Sequence, residues 1–361
     1  MAKRVEKKVI LVTGVNGFWG SRVAAGLLQS QATARKPIVR VIGVDALPLA
    51  SEIKGLNFIQ ADIRSPLFVE LLKTEKVQTV CHLAFDESAL PSEAAFDLNV
   101  MGTLKVFGAC AEAGVHKVVL RSSTAVYGAV PSNPAYITEE HPLQELQGSG
   151  YNQHLLEVEA FCNGFRRQAP DLILTILRFP SIIGPKADTP MTRFLKEPLA
   201  PSLLGFDPLM QIIHESDVVQ ALVHAILRDI PGVFNVAAEG VLPLSRLTAL
   251  AAKYPIPVFH LCAYLGVSLG NSIGLRTAEF WPIEPDYLRY TWVGDLKKMR
   301  AELGFAPAYT AEEALREFAG KQRSRQYIPG DVAPGFDEER LHDTLERFKR
   351  ELSRTEGVDH A

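Results

Sequence analysis

Cysteine is scarce in this chain. Its 361 residues contain four, Cys81, Cys110, Cys162 and Cys262, scattered and without a C-x-x-C pair. No histidine cluster stands at metal spacing either, so a disulfide scaffold and a metal site are both disfavoured, and the thiols read as reduced groups of a cytoplasmic protein. Excess charge of one sign is also missing. Lys and Arg number 38 against 41 Asp and Glu, a formal net charge of −3. That balance leaves no electrostatic footprint for nucleic acid. Long hydrophobic runs are lacking too. Met1 to Lys8 is short and basic, but it leads at once into Val9-Ile10-Leu11-Val12 and a glycine turn, unlike a signal peptide. The most apolar later stretch, Ile256 to Leu275, is interrupted by His260, Gly266, Gly270, Asn271 and Gly274. A spanning helix wants about 20 apolar residues with few interruptions, so no transmembrane segment is expected. The stretch is expected to be an ordinary buried helix, a membrane-surface or lipid-facing role being the alternative.

What is present is globular: 47% hydrophobic and 22% charged residues, without internal repeats or low-complexity tracts. Short runs rich in Val, Ile and Leu occur at Val9–Val12, Val39–Val44, Asn57–Gln60, Thr79–Leu83, Lys117–Arg121, Leu172–Leu177 and Val233–Val236. Their apolar residues hardly alternate with polar ones, as in strands covered on both faces. Helical patterns lie between them at Phe18–Gln29, Pro66–Glu75, Glu93–Ala113 and Gln153–Arg167. This alternation predicts an α/β fold, a Rossmann-type doubly wound parallel sheet. From about Gly184 the rhythm changes, Pro185 to Pro208 reading as irregular. The expected division is a dinucleotide-binding domain over 1–185, completed by about 212–237. A smaller, mostly helical substrate domain follows over 186–211 and 238–328. A charged C-terminal extension, 329–361, carries a helix at Phe336–Thr355.

The first strand ends in Thr13-Gly14-Val15-Asn16-Gly17-Phe18-Trp19-Gly20, a G-x-x-G-x-x-G turn opening a helix. Glycines here make the turn, admit a pyrophosphate to the backbone and let helix and strand pack closely, while the helix N-terminus favours the anion. The second strand ends at Asp45, whose carboxylate can accept both hydroxyls of an adenine ribose and would repel a 2′-phosphate. NAD is therefore favoured over NADP. The third strand leads to Asp62-Ile63, placed to meet the adenine. The fourth leads to His82-Leu83-Ala84, a small-residue turn that lets a dinucleotide pass.

Together these residues resemble the extended short-chain dehydrogenase/reductases, in particular the NAD-dependent epimerase/dehydratases typified by UDP-glucose 4-epimerase. Further matches are Asn99-Val100-Met101-Gly102-Thr103, Ser122-Ser123-Thr124-Ala125-Val126-Tyr127-Gly128, Leu177-Arg178-Phe179-Pro180 and His214-Glu215-Ser216-Asp217-Val218. The resemblance implies NAD contacts at Gly14, Asn16, Gly17, Phe18, Gly20, Asp45, Asp62, Ile63, Leu83, Ala84, Asn99, Tyr151 and Pro180. It also implies an oxidoreductase or epimerase in which Ser123 and Tyr151 address a substrate hydroxyl. In the family a lysine one helical turn past the tyrosine lowers its pKa; here Leu155 stands at that place, and no lysine occurs between Lys117 and Lys186. His154 is the nearby substitute in a degenerate motif. The family substrate is a nucleotide sugar, but Met210 stands where an arginine usually grips the diphosphate. Arg193, Arg276 and Arg289 are the candidates to compensate. The alternatives are an apolar alcohol or ketone, lipid or sterol-like, and a non-catalytic NAD-binding protein. A homodimer built on Glu93–Ala113 and Gln153–Arg167 is implied as well, with Phe96, Leu104, Phe107, Leu156 and Phe161 as apolar anchors.

Overall fold

The structure is a computed structural model that describes residues 8–31, 38–87, 92–144, 150–272 and 282–327. In its first half, strands β1 (Lys8–Thr13), β2 (Ile38–Asp45), β3 (Asn57–Gln60), β4 (Thr79–His82) and β5 (Lys117–Ser123) alternate with helices α1 (Phe18–Gln31), α2 (Leu67–Thr74), α3 (Glu93–Phe96) and α4 (Gly102–Glu112). Then come α5 (Gly150–Gln168), β6 (Ile173–Phe179), β7 (Ser181–Ile183), α6 (Pro190–Lys196), β8 (Leu199–Leu203), β9 (Leu209–Met210), β10 (Ile212–His214), α7 (Glu215–Leu227) and β11 (Gly232–Asn235). After β12 (Leu242–Pro243), α8 (Leu244–Leu250), β13 (Tyr254–Val258) and α9 (His260–Ser272), a closing helix spans Ala311–Tyr327.

Seven strands form one parallel sheet in the order β11-β6-β5-β4-β1-β2-β3. The strand side chains divide between two cores. Ile10, Val12, Val41 and Val119 pack with Val23 and Leu27 of α1 and Val218 and Leu222 of α7. Leu11, Ile42, Val118 and Leu120 pack with Phe68 and Leu72 of α2, Val106 and Phe107 of α4 and Val158 of α5. Because the inner strands β1, β4 and β5 are roofed on both faces, their sequences show nearly continuous apolar runs. The strand order reverses between β1 and β4, so the crevice beyond their carboxyl ends is the ligand-binding place of such sheets.

A third apolar cluster gathers Ile183 of β7, Met191, Phe194 and Leu195 of α6, Met210 of β9, Leu247 of α8, and Leu315 and Phe318 of the closing helix. By contacts the chain forms two compact units, 1–319 and 320–361. All three clusters lie in the first; of the second only 320–327 are described, and the expected Phe336–Thr355 helix lies outside the described residues.

Three expectations need correction. The Pro185–Pro208 stretch holds the helix α6, because Thr189 caps it (Thr192 N–H to Thr189 Oγ1, 3.2 Å) and Pro190 suits its first turn. Glu93–Ala113 is interrupted by a π-helical turn over Asp97–Met101, which bulges the backbone around Asn99. The apolar stretch from Ile256 begins as strand β13, paired parallel with β8, before α9. Instead of being buried it leaves Ile256, Phe259, Leu261 and Leu265 exposed, with Ala263 turned inward. No helix among the described residues is long and apolar enough to cross a membrane.

Candidate functional site

The glycine turn closes onto the carboxyl ends of its neighbours. Gly14 adopts φ +68°, and a Cβ there would lie 2.6–2.7 Å from the backbone of Leu83 and Ala84. A Cβ on Gly20 would run into the carbonyl of Gly14, so α1 sits directly on the turn. Only glycine meets both demands. Asp45, at the end of β2, takes the backbone N–H groups of Asn16 and Leu47, each at 3.0 Å. These bonds use part of the carboxylate's four acceptor positions, leaving others for a ligand hydroxyl. Phe18 is half-buried beneath the Arg22 guanidinium, 3.5 Å from its ring centre.

The floor of the crevice is a chain of hydrogen bonds with one consistent proton order. Thr103 donates to the carbonyl of Asn99 (2.5 Å), so its oxygen accepts from Nε2 of His82 (3.0 Å). His82 Nδ1 then accepts from Thr13 (2.8 Å), whose oxygen takes the N–H of Leu83 (3.1 Å). The ring is fully buried, and burial pushes its pKa down to about 3. A neutral imidazole therefore ties β1, β4 and α4 together under the Leu83-Ala84 turn. Asn99 is fully buried and bonds both backbone groups of Asp86 at 2.7 Å. Its amide also donates to Nδ1 of His154 (3.1 Å), which packs edge-on to Phe96 and whose pKa burial lowers. Asp62 is held by Arg64 (2.9 and 3.1 Å to Nε), and those hydrogen bonds keep its carboxyl below the usual range. Ile63, three residues beyond β3, and Pro180, directly after β6, are buried.

Tyr151, near the start of α5, is half-buried, with Phe85 edge-on at 6.5 Å. Its hydroxyl accepts from the guanidinium of Arg121 at 3.1 Å. Burial pushes the phenol pKa up, and the Arg121 charge works in the opposite direction. Ser123, two residues beyond Arg121 on β5, accepts the N–H of Ala125 at 3.1 Å and so turns the chain out of the strand. Leu155 is fully buried. Arg121 is 5% exposed; it also pairs with Glu87 and faces Trp19 at 5.3 Å. Neither Arg121 nor Glu87 was among the residues expected at the site. The signal for Arg121 was a charged residue ending the apolar run Val118–Leu120, directly before Ser122-Ser123.

Several matched motifs serve the frame. Arg178, 3% exposed, bonds Glu159 (Nε at 3.0 and 3.1 Å), Tyr127 Oη (2.7 Å) and the carbonyl of Glu139 (3.1 Å). Asp217 accepts the N–H groups of Ala308 (2.9 Å) and Tyr309 (3.1 Å). Met210 is fully buried in the third cluster. Arg193 pairs with Asp188 at 2.9 and 3.1 Å, and Arg289 stacks 4.8 Å from Phe206 and 4.9 Å from Tyr290. Arg276 lies outside the described residues. Of the expected dimer anchors, Phe107 is buried, packed edge-on to Phe161 (5.9 Å), while Phe96 is exposed.

A parallel doubly wound sheet with a glycine turn at its switch point defines a dinucleotide-binding class of protein. The model of the NAD dependent epimerase/dehydratase family matches residues 10–237, and the chain belongs to that family. An uncharacterized protein of Mycobacterium tuberculosis is 35% identical over 322 residues, covering 86% of this chain and 83% of that one. The UDP-glucose 4-epimerase of Neisseria meningitidis is 32% identical over 186 residues, 49% of this chain and 54% of that protein. Among solved structures, MoeE5 in complex with UDP-glucuronic acid and NAD is similar at TM-score 0.66 and 24% identity, covering 88% of this chain and 99% of that one. UDP-glucose 4-epimerase of Thermotoga maritima with UDP-glucose reaches TM-score 0.66 at 21% identity, with the same coverage. At these identities the two structures speak for the fold.

Proposed function

We propose that the protein is an NAD-dependent oxidoreductase or epimerase acting on a hydroxyl group of a nucleotide sugar. The observation that carries this reading is the cradle at the switch point: glycines that tolerate no Cβ, with Asp45 bonded to the turn beside them. These residues fit NAD. Gly14, Gly17 and Gly20 leave the backbone and the start of α1 open to a pyrophosphate, and Asp45 offers acceptors to ribose hydroxyls. Asp62 and Ile63 would flank the adenine, and Leu83, Ala84, Asn99 and Pro180 would line the path across the sheet. When bound, NAD supplies a hydride acceptor that can also give the hydride back. Tyr151 would remove the proton of the substrate hydroxyl and Ser123 would hold the same oxygen. His154, fixed by Asn99, would shape the wall beside them. A homodimer through α4 and α5 belongs to the same reading.

A second reading, an apolar alcohol or ketone as substrate, is supported by the burial of Met210 where a diphosphate-gripping arginine would stand, and by the engagement of Arg193 with Asp188. Purified protein is to be offered NAD and NADP, then a panel of uridine- and thymidine-diphosphate sugars and hydroxy-lipids. Tighter binding of NAD with turnover of a nucleotide sugar is the expected result. Equal affinity for the two cofactors would sink the cofactor assignment, and turnover confined to hydroxy-lipids would move the substrate to the second reading. Saturable NAD binding without any turnover would make the protein a non-catalytic binder.

A further inference from the structure

Tyr151 lacks the helix-borne lysine of its family, and Leu155, one turn along, is fully buried. We propose that Arg121 supplies the missing cation from the strand side: the end of β5 delivers a guanidinium to the Tyr151 hydroxyl and stabilises its ionised form. The inference rests on the proposed role of Tyr151 as base and names what makes that role attainable.

Three observations support it. Nη2 of Arg121 lies 3.1 Å from Tyr151 Oη, and the arginine is 5% exposed, so its charge acts through little water. A guanidinium stays protonated throughout the working pH range, unlike the imidazole of His154, whose charged form burial disfavours. In addition, no acceptor among the described residues meets Arg121 Nε, although that atom is buried. The guanidinium is thus under-satisfied, and an anion forming beside it would be stabilised. When the phenol loses its proton, the existing charge-assisted N–H···O contact becomes a bond between opposite charges.

The charged groups acting on the phenol are Arg121, from β5, and Glu87, from the segment after β4; Phe85 adds only an apolar ring edge. Glu87 opposes the proposal. Its carboxylate pairs with the same guanidinium and raises the phenol pKa, but it is 39% exposed and therefore partly screened. The two charges must consequently move Tyr151 in opposite directions, which packing alone would not do.

The test reads the ionisation of Tyr151 as the near-ultraviolet phenolate absorbance of each protein minus that of its Tyr151→Phe counterpart, with and without NAD. Arg121→Met is expected to raise the midpoint by at least about one pH unit, Arg121→Lys to restore most of it, and Glu87→Gln to lower it. The proposal is overturned if neither Arg121→Met nor Glu87→Gln moves the midpoint. It is also overturned if Tyr151 in the NAD-bound protein fails to ionise within about one unit of the ordinary tyrosine value even with Glu87→Gln. Should Arg121→Met unfold the protein, the half-exposed Glu87 carries the test. Failure of the underlying reading looks different: Tyr151→Phe would then leave turnover intact while the optical shifts persist.

Discussion

Two arginines on neighbouring strands each donate to a tyrosine hydroxyl, and their surroundings differ. Arg178 on β6 is saturated: Glu159 takes its Nε and Nη2, Tyr127 and the Glu139 carbonyl take Nη1, and each of these residues is buried. The Tyr127 hydroxyl donates to Oδ1 of Asn235 at 2.7 Å, and its pKa is pushed up to about 12 by burial. Arg121 on β5 has one half-exposed carboxylate, one phenol and a nitrogen without an acceptor among the described residues. A closed network leaves nothing for a ligand to do and specifies the fold; an open one stores a charge that a reaction can use.

The comparison is broken most sharply by Arg178→Met. It strands Glu159 in the core, and the expected loss is about 3–5 kcal/mol, measured by urea unfolding. Arg121→Met should cost clearly less, since Glu87 can turn to water; equal losses would erase the distinction. Leu155→Lys places a second cation one helical turn from Tyr151 but in a fully buried position. The lysine can shed its proton there, so a loss of roughly 2–3 kcal/mol with no gain in activity is expected. A rise in neutral-pH turnover instead would show that the site still accepts the family cation.

The His82 floor gives a pH test. Its folded pKa of about 3 lies below the ordinary histidine value, so the unfolded chain binds the extra proton first. The histidine's contribution is complete above about pH 6.5 and is lost as pH falls, at about 1.4 kcal/mol per pH unit. Replacing His82 with Asn should flatten that slope between about pH 6 and 4, whatever it does to absolute stability. An unchanged slope would mean that the imidazole does not stay neutral on folding. The smallest effect concerns the rim. Asp45→Ala should narrow the preference for NAD over NADP by about tenfold, or about 1.4 kcal/mol, read by equilibrium binding of both cofactors.

The strands and most helices were legible because apolar runs and glycine punctuation are local. The G-x-x-G-x-x-G turn was legible for the same reason, the fit of Gly20 against Gly14 being local, although the close approach of Gly14 to Leu83 and Ala84 is a tertiary contact. The bulge at Asn99 and the exposed face of β13 and α9 were not. A π-turn inserts one residue without changing the apolar pattern around it, and an apolar sequence does not say whether anything covers it. Arg121 and Arg178 each stand near the carboxyl end of an apolar strand, and neither strand's sequence says which acceptors will surround the guanidinium.

The sequence by itself determined the doubly wound sheet and the glycine turn that opens its first helix, because these follow from neighbours along the chain. Only the tertiary structure decided which charges meet. Glu87, Arg121 and Tyr151 come from three separate segments, and so do Glu159, Arg178 and Tyr127. Whether a buried arginine is saturated or left with a free donor depends on how many acceptors the packed elements bring within about 3 Å of it. That number is set by the fold and is written in no single stretch of sequence.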